Sequence, residues 1–202
     1  MIKNKKNLME NVNKQKNVLC KELGIDGQKI KVKHSKFANG IGGFARGKHK
    51  VSLSKKLLQI WDEDPNTCHY VLRHELVHLK YNDNKHCKAR IATMTSNHAR
   101  AKILLCEMRA DIEGMAILNL NNKEIERIQN KLRENNLSLT RKQCYNHGYP
   151  ERSQIADFTK RYEFFDDVAK KELLTDFCDV MKINDSSKFI SKVISAFNKK
   201  YN

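Results

Sequence analysis

The stretch Arg73-His74-Glu75-Leu76-Val77-His78-Leu79, an H-E-x-x-H pattern, constrains this chain more than any other feature. On an α-helix, His74 and His78 stand roughly 6 Å apart along the axis and about 40° around it, so both imidazoles leave one face. They can therefore share one small cation. Glu75 projects about 100° away from His74 and flanks that cation without joining its ligands. Zinc lowers the pKa of a bound water to roughly 7, and a neighbouring carboxylate can then take its proton, which is the chemistry of amide hydrolysis. In a chain with 8 His among 202 residues, the pattern arises by coincidence in about one sequence in fifty. The flanking sequence has to carry the reading further.

The metal helix has a marked start. Asp64 is placed to cap it, and Pro65 takes the first helical position, where a missing N–H costs nothing. The helix is expected to run to about Tyr81 and to break at Asn82-Asp83-Asn84. A catalytic zinc site takes three protein ligands and keeps one position open. The favoured third ligand is Glu107, 29 residues after His78, a separation that lets the chain leave one helix and return on another. Asp111 lies one turn beyond Glu107, where its carboxylate can accept the outer N–H of a ligand histidine. Two acids on a helix otherwise carrying Leu104, Leu105, Met108, Ile112 and Met115 need a partner. Two rival third ligands stay open. His86 follows His78 by eight residues, without the six-residue spacing and glycine of a metzincin, and His98 reads as a helix cap or surface residue.

Around this centre, residues 1 to about 23 read as a frayed start and an amphipathic helix ended by Gly24. Ile30 to Lys33 and Lys50 to Ser54 alternate as half-exposed strands, and Ser54 then caps a short helix through Leu57, Leu58 and Ile60. The glycines of Asn39 to Gly47 lack the G-K-[ST] ending of a phosphate loop and read as a turn or bulge between strands. Residues 84 to 97 form a polar connection, a second helix begins near Asn97, and a charged third runs from Asn122 to about Asn135. Beyond Gly148-Tyr149-Pro150 the chain is helical again, with Phe158, Phe165, Leu173, Phe177, Phe189 and Phe197 supplying core.

The net charge of +16 is uneven: residues 1 to 60 hold 15 Lys/Arg against Glu10, Glu22 and Asp26. Such an arm can attract nucleic acid, but the excess is lysine interleaved with asparagine, and no arginine-rich or aromatic-interleaved module accompanies it, so that partner is not favoured. Six cysteines without a C-x-x-C pair read as reduced, mostly buried thiols. No apolar run approaches the ~18 residues of a bilayer span, and no apolar segment follows the first lysines as in a secretory signal, so a cytoplasmic protein without membrane insertion is expected.

These residues together resemble the gluzincin metallopeptidases, and among them the soluble portion of the HtpX-type (CAAX prenyl protease-type) family. Four segments carry the resemblance: KFANGIGGFARGKHKVSLSKKLL ahead of the metal helix, VLRHELVHLKYND, EMRAD, and the weaker His147 to Ile155 segment. They cover residues 37 to about 160 intermittently. The resemblance implies His74, His78 and Glu107 as zinc ligands, Glu75 as general base and Asp111 as the carboxylate behind a ligand histidine. The chain departs from that family in lacking its transmembrane helices, so the substrates of the membrane members do not carry over. It is also similar to the SprT-like proteases, which share the strand-then-H-E-x-x-H order but take a histidine as third ligand and have nucleic-acid-associated substrates.

The expectation is an α+β, zincin-like fold with a small sheet packed on the metal helix and a helical C-terminal part. Its divisions are a basic helical arm (1–28), a metallopeptidase domain (29–160) and a C-terminal helical region (161–202). The expected function is zinc-dependent cleavage of a protein or peptide substrate. His147, Tyr149 and Arg152 are, from placement alone, candidates to stabilise the transition state. The alternative class is a non-catalytic, metal-stabilised nucleic-acid-binding protein.

Overall fold

A computed structural model describes residues 5–35, 40–83, 96–116, 118, 120–135 and 139–201. The fold is α+β and mostly helical, with one three-stranded sheet. Helix α1 (Lys5–Glu22) ends at Gly24, whose positive φ of 68° turns the chain. Strand β1 (Lys31–Ser35) lies parallel to the central strand β3 (Lys50–Ser54), and β2 (Gly43–Arg46) pairs antiparallel on the other side of β3, giving the order β1-β3-β2. Gly43 to Arg46 is thus an edge strand, where a turn or bulge was expected. Its two leading glycines disguise it, since glycine disfavours strands unless another group must come close.

Ser54 caps the short α2 (Lys55–Gln59) by accepting from the Leu57 N–H, as expected. Helix α3 (Pro65–Lys80) carries the H-E-x-x-H residues. It begins where the sequence marks it, with the Asp64 carboxylate accepting from Thr67 N–H at 3.2 Å. It stops at Tyr81, and Asn82 then turns in the left-handed region with φ 54°. Six helices complete the described residues: α4 (Asn97–Ala116), α5 (Asn122–Glu134), α6 (Arg141–Asn146), α7 (Arg152–Arg161), α8 (Asp167–Met181) and α9 (Ser186–Tyr201). Residues 84–95, which include His86 and Cys87, lie outside the described residues.

Two apolar cores meet on α4. One gathers the inner face of the sheet (Val32, Val51, Leu53) with Leu72, Leu76 and Val77 of α3 and Val12 and Leu19 of α1. The other gathers Leu104, Leu105, Met108 and Ile112 of α4 with Leu173, Phe177, Val193 and Phe197 of α8 and α9. Each of the larger side chains contributes roughly 1.5–3 kcal/mol of burial. Helix α4 can serve both cores because it is buried on several sides, with Ala110 and Met115 in one core and Leu104, Leu105, Met108 and Ile112 in the other, and it lies directly against α3. At Gly114 a Cβ would meet the His74 backbone nitrogen at 3.4 Å, so glycine lets the two helices approach closely where the metal residues sit. Buried Arg73 ties α1 to this pair, donating to Glu22 at 2.9 Å and to the Glu113 carbonyl at 2.7 Å.

The five described cysteines are free, and all but Cys106 are buried. No helix among the described residues is long and apolar enough to cross a membrane.

Candidate metal centre

The four-residue spacing on α3 sets the two imidazoles edge to face, with ring centroids 4.8 Å apart and Nε2 atoms 3.1 Å apart. Helix α4 delivers Glu107 to the same point: its Oε2 lies 3.4 Å from His74 Nε2 and 3.5 Å from His78 Nε2. Ligand atoms held about 2.0–2.1 Å from a tetrahedral zinc stand about 3.3 Å from one another. The three atoms of this triangle match that spacing, and the donors, two imidazole nitrogens and a carboxylate oxygen, are ones zinc takes. His74, His78 and Glu107 can hold a metal ion, and no other such group of three exists among the described residues.

The outer nitrogens of both imidazoles face carboxylates. His74 Nδ1 pairs with Asp111 Oδ1 at 2.8 Å, as expected, and His78 Nδ1 pairs with Asp83 Oδ2 at 3.1 Å. A carboxylate on Nδ1 draws the proton there and leaves the Nε2 lone pair for a cation. Burial works against charge on His74, yet Asp111 and Glu107 overcome it and hold its pKa well above the ordinary value. His78 is likewise raised to about 9, burial being outweighed by Glu107 and Asp83. The field at the centre therefore favours positive charge.

Each carboxylate is itself fixed. The Tyr70 hydroxyl donates to Asp111. Burial first, and Asp111 second, push the Tyr70 phenol well up, which keeps it a donor. Asp83 takes two hydrogen bonds from Arg109, at 2.8 and 2.9 Å, and one from the Tyr201 hydroxyl of α9. Burial would raise Asp83, but its bonds to His78, Arg109 and Tyr201 bring it down to about 2. The Arg109 guanidinium also lies over the rings of Tyr81 at 3.7 Å and Tyr201 at 4.1 Å. Tyr70, Asp83, Arg109 and Tyr201 escape the sequence reading. Only Arg109, between Glu107 and Asp111, carried a local signal: a cation buried beside two acids on an apolar helix.

Glu75 is buried at the foot of a cleft of 490 Å³ whose walls include the metal triangle and Gly42 to Ala45 of the sheet edge. Burial raises its pKa, partly offset by the two imidazoles and by a hydrogen bond from the Ala45 backbone N–H. A carboxylate raised in this way holds a proton more readily than an ordinary glutamate. His147, Tyr149 and Arg152 line the opposite wall, placed there by the turn after α6, where Gly148 takes φ 72° against Ile103. Arg152 donates to Gln129 at 3.2 Å. His98 is elsewhere: its ring packs on Phe189 at 4.5 Å, and Ser96, not His98, caps α4 through the Ala99 N–H.

No family model, no curated protein and no solved structure matches this chain.

Proposed function

We propose that this chain is a zinc-dependent endopeptidase of the gluzincin type with a zincin-like fold. The observation that carries the reading is the His74-His78-Glu107 triangle, its edges near tetrahedral spacing, opening with Glu75 into one cleft. When bound, zinc supplies a Lewis acid for the scissile carbonyl and makes water acidic enough to lose a proton near neutral pH. Everything else falls to the chain's own residues. Glu75 takes the proton from the attacking water and returns it to the leaving amine nitrogen. Asp111 and Asp83 keep both histidines in the binding tautomer and fix their rings. The β2 edge runs beside Glu75, which takes the Ala45 N–H, and pairs with no further strand among the described residues, so a peptide can lie extended along it. His147, Tyr149 and Arg152 face the carbonyl side as donors to the developing oxyanion.

The test measures zinc per chain and cleavage of an unfolded protein substrate for wild type, Glu107→Ala and Glu75→Gln. The expected result is close to one zinc in wild type, loss of zinc in Glu107→Ala, and retained zinc with at least a hundredfold lower turnover in Glu75→Gln. Zinc retained by Glu107→Ala would shift the third ligand to another residue and favour the SprT-like arrangement. Full cleavage by Glu75→Gln would overturn the enzyme reading and leave a metal that only clips helices together.

A further inference from the structure

The sheet has a second face, opposite the one packed on α3, and Phe44 at its β2 edge also borders the metal cleft. Between Gly27 and Trp61 the sequence holds nine lysines and arginines and no aspartate or glutamate. Strand register decides where they go. Lys31, Lys50 and Arg46 are direct partners across the three strands, and two residues on, Lys33, Ser52 and Phe44 form a second row on the same face. Neighbouring strands stand about 4.8 Å apart, so each row spans about 10 Å. The inner face carries Val32, Val51 and Leu53, so the alternation that buries these valines and leucine forces the lysines outward together.

Lys33, Arg46, Lys48, His49 and Lys50 surround a shallow hollow of 530 Å³ with the Ser52 hydroxyl at its edge. Like charges gathered this closely repel, and nothing nearby neutralises them: among the described residues, Lys33, Arg46, Lys48 and Lys50 take part in no ion pair. Lys131, Lys160 and Lys170, by contrast, are paired with Asp64, Glu126 and Asp167. Arg46 also lies over the Phe44 ring, its guanidinium carbon 4.4 Å from the centroid.

We propose that this outer face binds single-stranded nucleic acid, with the phosphates in the hollow and a base stacked on the Phe44–Arg46 pair. Cations tracking a backbone beside an aromatic stacking platform are the recurring solution for single strands. A duplex fits less well, because the face is a sheet surface with only a tight turn at Gly47 beside it and, among the described residues, no helix on it to enter a groove. An anionic membrane also fits less well, since Phe44 is half-buried and is the only large apolar side chain in the two rows. The proposal rests on the sheet and does not depend on the zinc reading.

The test is fluorescence anisotropy of the full chain with a labelled fifteen-nucleotide oligothymidylate and the same length of duplex, between 50 and 200 mM salt. Contacts from four cations predict a log–log salt slope of about −3 for the single strand. Lys33→Glu with Lys50→Glu is expected to weaken binding more than tenfold and flatten the slope. Phe44→Ala is expected to weaken it several-fold with the slope unchanged. A control pair on α1, Lys14→Glu with Lys21→Glu, removes the same charge elsewhere and is expected to cost less than threefold. All substitutions but Phe44→Ala are of charged surface residues, and circular dichroism melts verify that each variant is folded. Equal losses from the sheet and α1 pairs would overturn the proposal, as would duplex binding as tight as single-strand binding. Binding to phosphatidylserine vesicles with none to the oligonucleotide would overturn it too.

Discussion

Gly43 and Glu75 are in van der Waals contact across the β2–α3 interface: a Cβ at position 43 would lie 3.0 Å from Glu75 Cγ and 3.1 Å from Leu53 Cδ2. The edge strand and Glu75, the proposed general base, share one space, and the absence of a side chain on one makes room for the other. Gly43→Ala should therefore displace the Glu75 carboxylate without touching the metal ligands. Peptide turnover is expected to fall at least tenfold with zinc stoichiometry unchanged, and paired metal analysis and kinetics check it. Zinc loss in this variant would mean that the strain spreads into α3.

The pairing of both histidines with carboxylates predicts graded effects on metal affinity. Asp83→Asn is expected to weaken zinc binding about 10–100-fold, as measured by competition with a chromophoric chelator. Tyr201→Phe leaves the Arg109 bonds to Asp83 in place and is expected to cost less than about tenfold. Equal affinity in Asp83→Asn and wild type would show that the His78–Asp83 pair does not orient the ligand.

Tyr70 gives a contrast of another kind. Its hydroxyl donates to Asp111, which in turn holds His74. Tyr70→Phe removes the donor and leaves the ring, so the fold is expected to survive with about 1–2 kcal/mol lost from the buried acceptor. Zinc binding is expected to weaken by less than in Asp111→Ala, which removes the carboxylate. Chelator competition on both variants orders the two effects.

Acid stability should follow Asp64. Burial would raise its carboxyl, but Arg127, Lys131 and Thr67 hold it well below the usual carboxylate range. A carboxyl depressed in the folded state contributes its stability in full above the unfolded value near 3.9 and loses it as pH falls below that value. Asp64→Ala also removes the cap of α3, at about 1–2 kcal/mol, or roughly 3–6 °C in Tm. Thermal melts at pH 7 are expected to show this gap, and melts between pH 4 and 2 to show it closing.

What the sequence disclosed and what it hid divide along physical lines. The start and end of α3, the Ser54 cap and the Glu107/Asp111 pair were legible because each rests on residues within one or two helical turns. The Gly42–Arg46 stretch misled because glycine opposes strand formation locally, whereas its reason for being glycine is Glu75, thirty-two residues away. Asp83 reads as a helix-breaking turn residue until Arg109 and Tyr201 are seen around it. His86, weighed as a third ligand, lies outside the described residues.

The Tyr201–Asp83 bond also has a consequence in time. The two residues are 118 positions apart, and a ribosome adding roughly 5–20 residues per second needs on the order of 10 s to cover that distance. The histidine pair emerges well before the hydroxyl that helps to anchor its carboxylate. Until α9 docks, a nascent chain carries the histidine pair without its full brace, so the centre reaches its final rigidity only after Tyr201 has left the ribosome.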